Sequence, residues 1–486
     1  MKHKLKKLIG ALTVFYSPRY PKIIVYMLQS SEYRAGPYLS WYWRTSNFNK
    51  VVVRRELVRT KAARLLTLAL QAGLLIEILL GIWLIYLWHW SGLVAGLYYG
   101  LAVIVAAPVV WAHLIVVPLL AGRFLIVKPR EEHLIAESEK IFKKHKGIKL
   151  AIAGSYGKTS MKELLLTILG EGKKITATPG NKNVPISHAR FAKNLTGEED
   201  ILLIEYGEGA PGDVERFCRI THPTHAVITG LAPAHLDKYK TLQAAGEDIF
   251  SLAKYLKFKN VYVNGESSSI KPFMDPAFHA YNQMGALGWE VTKVKVGLDG
   301  LGFTLSKGNN VLKLHSGLVG RHHLGPLSLA VGLAHQFGVS DEAIVKGVAA
   351  TKPFEHRMQP YLLAGAWVID DTYNGNIEGI RVGTELLSEL PAKRKLYITP
   401  GLVDQGMETE HVHIEIGELI AAAKPDKVVL MQNSVTKFIQ KGLNTAGFTG
   451  ELQLEQHPLE LYTNLSEFVA AGDLVLMQND WPDNYR

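Results

Sequence analysis

Two long apolar runs, Leu65 to Trp90 and Leu93 to Gly122, constrain this chain more than any other feature. The first is interrupted only by Gln71 and Glu77 before it ends on Trp88, His89 and Trp90. Each exceeds the roughly 20 residues that a helix needs to cross a bilayer, and the terminal aromatic residues suit a membrane interface. A pair of buried core helices is the alternative; runs of this length favour spanning. The residues between them, around Ser91 and Gly92, are too few to hold a domain, so residues 65–127 are predicted to form a transmembrane helical hairpin. Arg64 stands before the first run, and Arg123, Lys128 and Arg130 follow the second. The positive-inside rule then puts both ends in the cytoplasm and the tip outside.

The charge distribution agrees with a lipid neighbour. Residues 1–64 contain 14 Lys or Arg against Glu32 and Glu56, a balance of +12, whereas the whole chain carries +10. The remaining residues therefore sum to −2. Such a basic tail can bind nucleic acid, but the apolar runs that follow favour anionic headgroups, where each Lys or Arg contributes about 1 kcal/mol. Residues 1–64 are expected to lie at the interface, with Trp41, Tyr42 and Trp43 at headgroup depth. The first twenty residues superficially resemble a signal peptide, yet the apolar part is short, Pro18 and Arg19 follow it, and there is no small-residue cleavage site. Cys218 is the only cysteine, which excludes an intramolecular disulfide.

The 486 residues suggest two or three domains. After a polar, helix-compatible connector at 128–147, short apolar segments alternate with helical ones: KLAIAG, DILLIEYG, HAVITG and KNVYVNG. That alternation argues for an α/β domain with a mostly parallel sheet covered on both faces, over residues 148–352. GFTLSKGNNVLKLHSG alternates around Gly308-Asn309-Asn310 and reads as a hairpin. LSLAVGLAHQFGVSDEAIVKGVAA reads as two helices. A second series, AWVIDDTYN, KRKLYITPG, DKVVLMQN and GDLVLMQN, predicts a separate Rossmann-like α/β domain over 353–486.

Between the strand KLAIAG and a helix lies Gly154-Ser155-Tyr156-Gly157-Lys158-Thr159-Ser160. Gly154 and Gly157 allow a tight turn that aims backbone N–H groups at an anion. Lys158 supplies charge for the β and γ phosphates, and the Thr159 hydroxyl suits Mg²⁺. Position 152 is Ile152 where the longer phosphate-loop motif has glycine, so the loop is of a shorter form; a chance glycine turn is the alternative. Glu205 ends the strand DILLIEYG, and His235 and Asp237 follow HAVITG, at the strand ends where open α/β sheets bind ligands. Each alone has a structural explanation. Together they point to an ATP–metal site.

GSYGKTS, TPGNKN, IEYGEGAPGDV, TGLAPAHLD, GRHH, PFEHRMQP, DDTYNGN and TPGLVDQG stand in the order found in the Mur ligase family, and the sequence is most similar to its D-alanyl-D-alanine-adding MurF type. The resemblance covers about residues 148–486. It implies ATP-dependent amide-bond formation through an acyl phosphate on a peptidoglycan-precursor peptide, with an amino acid or dipeptide as the amine. It also implies roles. Gly154, Ser155, Gly157, Lys158, Thr159 and Ser160 would cradle the phosphates, and Asn181 would lie near phosphate and substrate. His322 would sit beside the nucleotide, Arg357 would reach from the hinge to phosphate, and Asp371 would bind the ribose. Lys158, His235 and Arg357 would be catalytic; Thr159, Glu205 and His235 would hold Mg²⁺.

The sequence departs from the family at three places. A metal-bridging lysine is replaced by Gly246, which makes the adjacent Glu247 a candidate metal ligand. Gly230, His323 and Pro326 stand where asparagines are common. The basic segment and hairpin occupy the place of the UDP-sugar-binding domain. The expectation is a membrane-anchored ATP- and Mg²⁺-dependent ligase, multi-pass, with its catalytic domains in the cytoplasm and no nucleic-acid partner. A ligase of the same fold acting on another carboxylate or a lipid-linked acceptor is the alternative. A nucleotide-binding membrane scaffold without turnover is the reading from another class.

Overall fold

The computed structural model describes residues 14–31, 33–45, 48, 51, 57–58, 60–92, 94–180, 183–233, 236–373, 375–403 and 405–479. It divides into two compact units, Met1–His133 and Leu134–Arg486.

The first unit is helical: α1 (Arg19–Ser30), α2 (Ala35–Arg44) and the long pair α3 (Lys61–Ser91) and α4 (Val94–Leu114). The stretches Lys61–Trp90 and Val94–Lys144 are long and apolar enough to cross a membrane. Thr60 caps α3 by accepting from Ala63 N at 3.1 Å, and Gly92, at φ +67°, ends it in the left-handed conformation that suits glycine. Small residues let α3 and α4 touch. A Cβ on Gly81 would stand 2.8 Å from the Gly100 carbonyl, and one on Gly100 would stand 2.5 Å from that of Gly81. Such backbone contact is how helices associate where apolar burial gives no drive. The outward side chains are apolar: Ile76, Trp83, Tyr86, Trp90, Tyr98 and Tyr99 are each more than half exposed.

Pro108 lies inside α4 and has no N–H for the Ile104 carbonyl. One tyrosine of the N-terminal segment answers this, and two more bond carbonyls further along the helix. Tyr16 Oη donates to Ile104 O, Tyr20 Oη to Pro108 O at 2.9 Å, and Tyr38 Oη to Ala112 O at 2.7 Å. Around them α1 and α2 bury Ile24, Leu28 and Tyr42 against Leu66, Leu70 and Ile115. The described part of the basic segment is therefore a packed helical layer on the base of the hairpin. Of the aromatic triplet, Tyr42 belongs to that core and Trp43 is 72% exposed. Its expected headgroup position fits Trp43 but not Tyr42, whose ring fills space between the helices.

In the second unit, α5 (Lys128–Lys144), which begins in the first, leads into a ten-stranded sheet. Its parallel part is β1 (Ile148–Ala153), β2 (Ile175–Ala177), β3 (Ile201–Glu205), β4 (His225–Ile228), β5 (Val261–Asn264) and β6 (His279–Asn282), in the order 2-3-1-4-5-6. The central strands are apolar but for Lys149 and Glu205 and are buried on both faces, as crossover helices require. An antiparallel extension follows: β7 (Gly285–Ala286), β8 (Trp289–Gly297), β9 (Gly300–Lys307) and β10 (Asn310–Ser316). The anticipated hairpin joins β9 to β10, with Lys307 opposite Asn310. The two helices read after it are Leu324–Gln336 and Asp341–Ala349.

The second sheet has β11 (Gln359–Leu363), β12 (Ala366–Asp371), β13 (Arg394–Thr399), β14 (Lys427–Met431), β15 (Glu451–Glu455) and β16 (Asp473–Gln478), in the order 11-12-16-13-14-15. All pairs are parallel except β11 with β12. The fold class is α/β with mostly parallel sheets, as the alternating pattern predicts. The segment 451–455 was not among the expected strands, because its Glu-Leu-Gln-Leu-Glu pattern sits on a sheet edge with little burial.

Candidate nucleotide site

β1 and β3 are adjacent, with Ile152 opposite Glu205. This register brings the loop after β1 beside the carboxylate at the end of β3. Gly154 and Gly157 have φ of +139° and +75°, and a Cβ on Gly154 would meet Thr229 Oγ1 at 2.4 Å. Only glycine suits the first position. The Thr229 hydroxyl donates to the Tyr156 carbonyl, and Ser155 N donates to Gly230 O at 2.9 Å. The end of β4 thus staples the loop, and Gly157 caps helix α6 (Lys158–Leu169).

The side chains converge as expected for part of the set. Thr159 Oγ1 donates to Glu205 Oε1 at 3.0 Å. Lys158 Nζ donates to the Gly154 carbonyl at 2.5 Å and pairs with Glu208 at 2.8 Å. Ser160 occupies the first turn of α6, half-buried. Ser155 Oγ is buried and makes no hydrogen bond. An orphaned hydroxyl beside two left-handed glycines fits a cradle for an anion. The neighbouring hydroxyl and carboxylate oxygens are the hard donors that Mg²⁺ takes.

Two members absent from the expected set complete the arrangement. Lys162, fully buried, donates to Glu205 Oε2 at 3.0 Å and to the Gly180 carbonyl at 2.6 Å. It thereby ties the TPGNKN loop to β3. Glu208 is the partner of Lys158. The spacing of Lys162 four residues after Lys158 was a visible sign, since it puts both on neighbouring turns of one helix; nothing local marked Glu208.

The structure does not add the other expected members to this set. Asn181 and His235 fall outside the described residues. Glu247 is exposed on α7 (Leu242–Tyr255) and accepts from Gln243 Nε2 at 3.0 Å. A Cβ at Gly246 would stand 2.3 Å from the Phe273 ring, so no lysine fits there. Among the described residues no three His, Cys, Asp or Glu side chains form a ready metal cluster.

The rings of His322 and His323 lie with centroids 3.8 Å apart, tilted by 43°. His322 Nδ1 is buried without a partner, and burial pushes its pKa down to about 4. It borders a cavity of about 90 Å³ shared by Gln283 and Arg321 with Glu385 and Glu389 of the C-terminal part. Arg357 lies over the Tyr373 ring, 4.8 Å from its centroid. Asp371 accepts from Gln478 Nε2 at 2.8 Å and Met358 N at 3.2 Å. It therefore fastens the hinge to β16. Burial raises its pKa to about 7 although those hydrogen bonds and Arg357 oppose the shift.

Residues 152–334 match the Mur ligase middle domain. The chain is similar to the UDP-N-acetylmuramoyl-tripeptide–D-alanyl-D-alanine ligase of Escherichia coli (strain K12), at 30% identity over 293 residues, 58% of this chain and 63% of the relative. The ligase of the same name from Bacillus subtilis (strain 168) is 22% identical over 337 residues, 68% of this chain and 72% of the relative. This chain thus spans less than two thirds of the Escherichia coli relative's length. Among solved structures, MurF from Acinetobacter baumannii superposes with a TM-score of 0.63 at 20% identity, covering 72% of this chain and 77% of that one. MurF from Thermotoga maritima, solved with ADP, gives the same score and identity over 72% and 80%. Within residues 152–334, the loop at 154–160 and the Glu205 strand end meet at the ends of two adjacent parallel strands.

Proposed function

We propose that this chain is a membrane-anchored, ATP-dependent amide ligase that acts through an acyl phosphate on a peptidoglycan-precursor peptide, in the manner of the MurF ligases it resembles. The observation that carries the reading is the meeting of Lys158, Thr159 and Glu205 at the ends of two adjacent parallel strands. In this reading the glycine loop and Lys158 hold the triphosphate, with Ser155 Oγ and the α6 N-terminus as donors. Thr159 and Glu205 would hold Mg²⁺, which would offset charge on the transferring phosphoryl group. Arg357, on the hinge, would reach the same phosphate, and His322 would border the base. A substrate carboxylate oxygen attacks the γ-phosphorus and ADP leaves. The amine nitrogen then attacks the acyl carbon, phosphate leaves, and the amine gives up a proton.

The hairpin would keep the catalytic unit at the cytoplasmic face of the cell membrane and raise its effective concentration near membrane-handled precursors. Anionic lipid would contact the basic segment. Because the apolar N-terminal unit stands outside residues 152–334, which match the middle domain, a lipid-linked acceptor is the second reading.

The test is product-identified ligation by full-length protein in detergent. UDP-muramoyl-tripeptide with D-alanyl-D-alanine should yield phosphate and the pentapeptide product only when both are present, and Lys158→Ala should abolish it. Turnover on a lipid-linked acceptor alone would favour the second reading. Retained turnover in Lys158→Ala would reject both.

A further inference from the structure

The contact between Lys158 and Glu208 poses a problem for any phosphate that enters the loop. Lys158 Nζ lies 2.8 and 2.9 Å from the two Glu208 oxygens, and the side chains are only 12% and 6% exposed. Glu208 stands three residues beyond Glu205, on the loop that leaves β3. A phosphate that takes the ammonium leaves this carboxylate unpaired, nearly out of water and beside a second anion. Breaking a buried ion pair from one side is strongly unfavourable.

A divalent cation arriving with the nucleotide resolves the conflict, because it gives the released carboxylate a new counter-charge. The surroundings permit the exchange. Glu205 at the end of β3 and Thr159 in the first turn of α6 already place oxygen donors 3.0 Å apart. Gly209, next to Glu208, has nothing closer than 3.5 Å to where its Cβ would be, whereas Gly207 is held against the Asn183 carbonyl. The segment is thus pinned on one side of Glu208 and has room on the other.

We propose that Glu208 exchanges Lys158 for the nucleotide-bound magnesium ion, and so makes this site discriminate against metal-free nucleotide. The inference rests on the reading of Lys158 as a phosphate-binding residue. It assigns Glu208 two successive partners, the lysine in the free protein and the cation in the complex.

Calorimetric titration of full-length protein in detergent with ATP, once with Mg²⁺ and once with EDTA, tests it. Glu208→Gln should tighten metal-free ATP binding and reduce the ratio of the two affinities by about tenfold or more, equivalent to roughly 1.4 kcal/mol. Glu208→Asp should keep a ratio closer to that of the parent. A ratio in Glu208→Gln within about twofold of the parent overturns the proposal, as does an equal loss under both conditions. If Glu208→Gln does not fold, Glu208→Ala takes its place: a ratio reduced by about tenfold or more supports the exchange, and a ratio within about twofold of the parent rejects it. Lys158→Ala separates the two levels. If that variant binds ATP like the parent, the phosphate reading falls; if it loses binding while Glu208→Gln keeps the parent ratio, only the exchange falls.

Discussion

The ring of Tyr156 occupies the space that a side chain on Gly230 would need: a Cβ there would stand 2.2 Å from Tyr156 Cζ. The two residues are far apart in sequence, yet the tyrosine in the glycine loop and the glycine after β4 are one structural fact. Gly230 also carries φ +154° and gives its carbonyl to Ser155 N. Gly230→Asn therefore forces the tyrosine out or distorts the staple. The expected cost is about 1–3 kcal/mol, the range for overpacking a tight site, together with weakened ATP binding. Adding Tyr156→Ser should recover part of the loss, because residues in contact are not additive. Thermal unfolding and ATP titration of the single and double variants check this, and strictly additive losses would refute the steric account.

Lys162 is buried with Glu205, whose side chain is 3% exposed. Lys162→Met removes one partner and leaves the carboxylate with Thr159 alone. Destabilisation of about 3–5 kcal/mol is expected, as for other buried charges stripped of their partner. Lys162→Met combined with Glu205→Leu should regain most of that stability, since an apolar pair of similar volume tolerates the site. It should not regain Mg²⁺-dependent ATP binding. Denaturant unfolding alongside nucleotide titration distinguishes the two effects.

Much of this architecture was legible in the sequence because its strands are short, apolar and bounded by glycine or polar residues. Ile148–Ala153, Ile201–Glu205 and Lys427–Met431 each announce a strand that must be buried on both faces. The glycine loop was legible for a related reason: Gly154 and Gly157 mark a backbone conformation, and Lys158 follows at once. What escaped depended on contacts between distant segments. The Thr229 staple, the Glu208 partner of Lys158 and the Gln478 hydrogen bond to Asp371 arise only when neighbouring strand ends meet. The three tyrosines that serve α4 share this origin. Pro108 shows that a carbonyl must lose its helical donor, but not which side chain replaces it. Glu247 was an inference from sequence adjacency to Gly246, and the helix turns it outward.

The hairpin gives a topology prediction that the buried Cys218 makes convenient to test. His89 is exposed near the tip and Lys143 is exposed on α5. If α3 and α4 span the membrane with both ends inside, His89→Cys in intact cells should react with a membrane-impermeant maleimide. Lys143→Cys should react only after the cells are opened. Labelling of both in intact cells, or recovery of the chain in the soluble fraction, would contradict the spanning hairpin. Gly81→Leu should weaken the α3–α4 contact and lower the yield of membrane-inserted protein, because the Gly100 carbonyl and Ile104 leave no room for a side chain.

Asp371 predicts a pH dependence of stability with a definite sign. Its carboxyl has an ordinary pKa of 3.8 and is raised to about 7 in the folded chain, chiefly by burial. Between those values the folded state holds a proton that the unfolded state has released, so stability falls as pH rises. The contribution is complete below pH 3.8 and gone once pH passes about 7. Asp371→Asn cannot ionise and should flatten the dependence of the thermal midpoint across that window. Gln478 Nε2 and Met358 N bond to different carboxylate oxygens, and the single amide oxygen of Asn serves one of them, so its loss at acidic pH should be smaller than that of Asp371→Ala, which removes both acceptors. A parent and an Asn variant with parallel midpoint–pH curves would show that Asp371 stays ionised in the fold, held by Arg357 and its two donors against the cost of burial.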